Sequence, residues 1–203
     1  MTAKKSKEMA GDYEILMASK LGGKTMLVGY DPHNTEQPYM TCFREVNFLG
    51  DAVFTEAIGS DDYLTVIKLF TERLQVQIEK TEQFRSERNV PFVTLGREHC
   101  RKREDEESLT GKLIVLSPFS LAPEYRTADC QLGFATGGFG CSPGAGGRAV
   151  YFRELYSGEE CRWEIGDVLG IADKDKLPGW AKDKLAAYEK RRTAPKKERE
   201  ETR

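Results

Sequence analysis

Five apolar residues make the clearest pattern in the chain. Tyr63, Ile67, Phe70, Leu74 and Ile78 recur at spacings of three and four, while Thr71, Glu72, Gln75, Glu79 and Lys80 fall mostly on other faces. That period predicts one long helix over about 61–88. Ser60 or Asp61 is placed to cap it, two acids in its first turn suit the positive end of its dipole, and Pro91 breaks it. Ahead of the helix, 25–30 (TMLVGY) and 39–46 (YMTCFREV) read as strands, and 51–58 as a third, weaker one. The stripe must pack on something, so residues 24–88 predict a β-β-β-α unit. Further upstream, Asp12 to Leu21 reads as a short helix with Asp12 as cap and Gly22 as stop.

The second half is patterned for strands. Residues 112–116 (KLIVL) read as an apolar strand and 130–135 as another, separated by irregular chain at Pro118 and Pro123. Residues 148–156 and 159–165 predict a hairpin around Ser157-Gly158. A two-residue turn sets Val150 opposite Ile165 and Phe152 opposite Trp163, with Cys161 on the same buried side. On the other side Tyr151 faces Glu164 and Arg153 faces Arg162. A last short strand at 168–171 and a helix from Gly179 to about Arg192 complete the elements. The fold class is α+β, with mainly antiparallel sheet or sheets, one long helix at about 61–88 and a C-terminal helix. The organisation reads as an N-terminal arm (1–23), the unit 24–88, a glycine-rich β unit (89–181) and a charged tail (182–203) that continues the last helix. Whether 24–88 and 110–171 share one sheet is left open by the sequence.

Composition narrows the class. The chain has 203 residues, 39% of them hydrophobic and 32% charged, enough for a core under a wet surface. No apolar run approaches the roughly 20 residues of a membrane helix, and no apolar stretch follows the first lysines. A cytoplasmic chain without membrane contact is therefore expected. The five cysteines, Cys42, Cys100, Cys130, Cys141 and Cys161, are odd in number and widely spaced, which predicts free thiols. The net charge of −2 divides into +2 over residues 1–8, +4 over 182–203 and −8 between them. Basic ends on an acidic body allow contact with nucleic acid or an acidic partner, or are simply solvated.

Candidate chemistry gathers at the seven glycines between Gly133 and Gly147. Gly140 to Gly144 match G-x-S-x-G, the pattern that aims a serine nucleophile and places the next N–H in an oxyanion hole. The next residue is Pro143, which has no N–H, and both histidines, His33 and His99, lie upstream. No lysine follows the glycines, so the segment is not a P-loop. Gly137, Gly138, Gly140, Gly144, Gly146 and Gly147 are read as a structural loop that allows positive φ or close approach. A thiol–imidazole pair of Cys141 and His99 is the weaker enzymatic alternative. No catalytic residue, metal or cofactor is assigned. Arg153 opposite Arg162 is a like-charge pair across a hairpin. Together with Phe139, Arg148 and Tyr151 these arginines form the candidate binding face.

Several segments carry a resemblance: 121–126 (LAPEYR), Gln131-Leu132, 135–143 (ATGGFGCSP), 147–150 (GRAV), Gly158-Glu159, 167–170 (DVLG) and 177–181 (LPGWA), with 37–43 (QPYMTCF) and the helix start at 60–63. Together, over about residues 24–181, they resemble a family of small uncharacterised proteins and modules carried on conjugative and integrative mobile elements of gut Gram-positive bacteria. The resemblance implies cytosolic mobile-element cargo and no catalytic residue. The expected function is a non-enzymatic binding or accessory protein acting through a protein, nucleoprotein or nucleic-acid partner. The alternatives are an anti-CRISPR or anti-restriction inhibitor of a host nuclease, and an enzyme built around Cys141.

Overall fold

The computed structural model of the chain describes residues 8–47 and 51–193. It divides into two units, Met1–Asn89 and Val90–Arg203. In the first, β1 (Met9–Ala10), β2 (Tyr13–Leu21), β3 (Lys24–Tyr30), β4 (Tyr39–Val46) and β5 (Ala52–Ser60) form an antiparallel sheet in the order β1-β2-β3-β4-β5. The expected helix over 12–21 is therefore corrected to strand β2. Gly22 and Gly23 have φ of +62° and +81° and join Leu21 to its partner Lys24 in a two-residue turn. What reads as a helix stop is the glycine pair a tight hairpin requires. Asp12, read as a helix cap, lies in the turn between β1 and β2, beside Gly11 at φ +62°.

The long helix α1 spans Tyr63–Arg88. Its cap is Asp62 rather than Ser60 or Asp61, and it has no acid in its first turn: the Asp62 carboxylate accepts from the N–H groups of Leu64 and Thr65. Val66 and Phe70 are buried against Met26, Val28 and Phe43, with Ile67 and Leu74 packed beside them. Tyr63 stays exposed, and the buried line continues through Gln77 and Thr81. The face in contact is thus turned slightly from the predicted stripe. Ala10, Leu27, Met40 and Cys42 form a second cluster, as the alternation of residues along β3 and β4 requires. A bulge in the β4–β5 pairing places Glu56 at φ +53°. Arg73 of α1 donates to the Glu56 carbonyl at 2.6 Å and lies over the Phe43 ring at 5.0 Å, tying helix to bulge.

The second unit holds β6 (Cys100–Arg101), β7 (Leu113–Leu116), the short α2 (Ala128–Gln131), β8 (Leu132–Gly137), β9 (Ala149–Glu154), β10 (Glu160–Glu164), β11 (Val168–Ala172) and α3 (Gly179–Thr193). The strands form a separate antiparallel sheet in the order β10-β9-β8-β7-β11-β6. β7 is buried along its whole length, as its uninterrupted apolar run predicts. Leu177, just ahead of α3, and Ala181 and Leu185, one turn apart within it, pack with Leu113, Val115, Leu132, Phe134 and Leu155. Leu109, Leu121, Cys141 and Ile165 join Ile114, Ala135, Val150 and Phe152 in a second cluster. Gln131 is fully buried: its amide accepts from Leu95 N–H at 2.8 Å and donates to the carbonyls of Leu95 and Leu116 at 3.0 and 2.8 Å. All its hydrogen-bonding capacity bar one lone pair is thereby used.

Candidate functional site

The site grows out of the β9–β10 hairpin. Its pairs are Arg153 with Glu160, Phe152 with Cys161, Tyr151 with Arg162 and Val150 with Trp163. The expected register is corrected by two residues. Leu155 leaves the ladder, donates its N–H to Leu132 at 2.8 Å and turns into the core under α3. The connection is therefore longer than two residues, and Gly158, at φ +78°, donates back to the Glu154 carbonyl. A shift of two preserves the faces: Val150, Phe152, Cys161 and Trp163 still share the core side. The expected Arg153–Arg162 and Tyr151–Glu164 pairs do not form. Arg153 instead meets the Glu160 carboxylate at 2.9 Å, and Arg148 meets Glu164 at 3.0 Å. Arg162 is exposed beside Tyr151, without an ion pair among the described residues.

On this outer face Phe134 is the direct neighbour of Arg153 across the β8–β9 pairing. Tyr188 of α3 stacks on Phe134 with ring centres 3.9 Å apart. Beside that stack runs a groove of about 570 Å³, lined by Phe134, Arg153, Tyr156, Lys184, Ala187 and Tyr188 among others. The Lys184 ammonium sits over the Tyr156 ring at 4.4 Å and donates to the Tyr156 carbonyl at 3.1 Å. A second concavity of about 470 Å³ lies over Thr136, Gly137, Tyr151, Glu160, Cys161 and Arg162. Tyr151, Arg153 and Arg162 are thus brought onto one face. Phe139 and Arg148 lie instead at the glycine-rich loop, Phe139 against Gly147 and with 73% of its surface exposed.

Sequence reasoning missed Phe134, Tyr156, Lys184 and Tyr188. A signal was present in the spacing of Ala181, Leu185 and Tyr188, which marks the packed side of α3 and leaves Lys184 at its flank. What the spacing does not reveal is which strands that side covers.

The glycine-rich loop divides by role. A Cβ on Gly138 would lie 2.3 Å from the Ala149 carbonyl oxygen, and one on Gly140 would lie 2.5 Å from that of Arg148. A Cβ on Gly137, on Gly146 or on Gly144, which takes φ +67°, would meet nothing within 4 Å. Ser142 follows a short 3₁₀ turn in an extended conformation, not the strained turn of a nucleophile elbow. The Cys141 thiol is buried and donates to the Gly137 carbonyl at 3.0 Å. Burial pushes its pKa up, against smaller opposing effects of Thr110 and Arg103, which disfavours the thiolate a nucleophile needs. No hydrogen bond joins it to His99, whose Nδ1 accepts from the Gly96 N–H at 3.1 Å. Among the described residues, no three His, Cys, Asp or Glu side chains gather closely enough to hold a metal ion, and no helix is long and apolar enough to cross a membrane.

No protein family, curated protein or solved structure matches the chain.

Proposed function

We propose that the chain is a non-enzymatic binding protein that receives an extended, acidic segment of a partner protein in the groove between α3 and β9. One observation carries this reading. The outer face of the second sheet is packed under α3 at β7 and β8 but open at β9, where Phe134, Tyr156 and Tyr188 border the groove and Arg153 and Lys184 flank it. Aromatic walls give contact area at low entropic cost, and flanking cations favour carboxylates. The buried thiol and hydrogen-bonded imidazole described above give the enzymatic alternative no comparable support. The mobile-element setting belongs to the same proposal and rests on the sequence segments alone.

The test is selection of peptides from a random library on the immobilised chain. Enriched peptides should carry Asp or Glu beside an apolar anchor. Their affinity should fall about tenfold or more in both Arg153→Glu and Tyr156→Ala, each checked for an unchanged circular dichroism spectrum. Lack of any enriched motif, or equal binding by both variants, refutes the reading. Retained nucleic-acid binding that disappears when residues 194–203 are removed would assign the partner to the tail instead. The truncation has to begin after Thr193, because Leu185 and Tyr188 of α3 belong to the core.

A further inference from the structure

Among the described residues β10 is an edge strand of the second sheet, with β9 as its single neighbour. The N–H of Ile165 donates to the Arg148 carbonyl and that of Glu154 to the Glu159 carbonyl. Those bonds fix the alternation of the antiparallel ladder. Cys161 and Trp163 direct their backbone groups to β9, while Glu160, Arg162 and Glu164 direct theirs outward. The outward N–H of Glu164 is occupied by the Asp167 carboxylate at 3.0 Å. Those of Glu160 and Arg162, with their carbonyls, have no hydrogen-bond partner among the described residues. An open edge of this kind pairs with another strand unless something blocks it.

We propose that β10 pairs antiparallel with β10 of a second copy of this chain, about a two-fold axis at Cys161. The sequence of the edge selects that frame. Centred on Cys161, Glu160 of each copy faces Arg162 of the other, so two opposite-charge pairs form and the four outward backbone groups of each copy are all used. Centred on Arg162, the two guanidinium groups face each other, which is unfavourable. Centred on Trp163, Arg162 would need the Glu164 N–H that Asp167 already holds. Among the described residues Arg162 is also the hairpin arginine without a carboxylate partner, whereas Arg148 and Arg153 each have one. In the pair of copies a ladder runs across four strands: Arg153, Glu160, then Arg162 and Tyr151 of the second copy. Because the axis is normal to the sheet, both α3 grooves open on the same side. The dimer goes beyond the binding role proposed above and stands without it.

Charge reversal tests the frame without a double variant. Wild-type chain should reach twice its monomer mass by sedimentation between about 1 μM and about 1 mM. Glu160→Arg alone sets Arg against Arg, and Arg162→Glu alone sets Glu against Glu. Each should weaken self-association about tenfold or more. Mixed one to one, the two variants are complementary at both pairs and should form a heterodimer. A chain that had merely misfolded would not recover on mixing. Cys161 supplies a second reading on the wild type. Directly opposed residues at a non-hydrogen-bonded position have Cα atoms about 4.5 Å apart, within disulfide reach. Diamide, which takes two electrons and two protons from two thiols, should therefore link the copies, and Cys161→Ser should abolish the link. A wild-type chain monomeric throughout that range, or mixed variants that stay apart, would each overturn the proposal.

Discussion

At the scale of single residues, glycines that look alike in sequence do different work. Gly138 has φ +102°, and a Cβ there would press on the Ala149 carbonyl. A Cβ on Gly140 would press in the same way on the Arg148 carbonyl, at 2.5 Å. Neither backbone oxygen can retreat without breaking the start of β9. Gly146 faces open space. Gly138→Ala and Gly140→Ala should therefore each cost about 2–3 kcal/mol, and Gly146→Ala less than about 0.5 kcal/mol. Urea midpoints at unchanged slope measure the difference. Equal effects at all three positions would mean that close approach is not what the loop's glycines provide.

At the scale of elements, the strap that joins β6 to β7 shows how a charged segment becomes ordered. The run from His99 to Ser108 reads as an exposed loop. In the structure Arg101 grips Glu107 with both guanidinium nitrogens at 2.7 and 2.6 Å, and Lys112 approaches the same carboxylate at 3.2 Å. Arg103 donates to the carbonyls of Glu107 and Gly140 at 2.6 and 3.1 Å, fastening the strap to the glycine-rich loop. The hydrogen bonds from Arg101, with smaller help from Lys112, hold the Glu107 carboxyl at about 2 rather than its ordinary 4.5. Between these values the unfolded chain binds the proton and the folded chain does not. The contribution of Glu107 to stability is therefore complete above about pH 4.5 and fades as pH falls towards 2. Glu107→Gln should be less stable than wild type at pH 7, and the gap between their urea midpoints should close over that window. A gap that is constant with pH would remove Glu107 from the account.

The same scale shows why some elements were legible and others were not. The helix over 63–88 and the apolar β7 carry their period in their own residues. β2 does not: its short run of mixed residues suits helix or strand, and only the pairing with β3 through Gly22 and Gly23 decides. The hairpin was legible in its faces and not in its partners. A slip of two residues leaves the alternation intact, and the cause of the slip, burial of Leu155 beneath α3, is a contact made across about thirty residues of chain. The candidate site shares that division. Tyr151, Arg153 and Arg162 were visible as an outer face, but Lys184 and Tyr188 reach the groove only through the docking of α3.

At the scale of the whole chain, the two units each have a sheet and core of their own. The boundary is marked by local chemistry. α1 ends at Asn89, which takes φ +45° and donates its N–H to the Arg85 carbonyl, a helix stop that asparagine tolerates. From there the chain serves the second unit. Ala128 donates to the Val93 carbonyl at 2.7 Å, Thr94 donates to that of Arg126 at 2.7 Å, and Leu95 is held by Gln131. A cut between Asn89 and Val90 breaks none of these contacts. Expressed separately, residues 1–89 and 90–203 should each show a cooperative thermal transition, and their circular dichroism spectra should sum to that of the intact chain. The second fragment, which contains β10 and α3, should also retain the self-association and groove binding proposed above. Failure of either fragment to melt cooperatively would mean that its sheet needs the other half of the chain to fold.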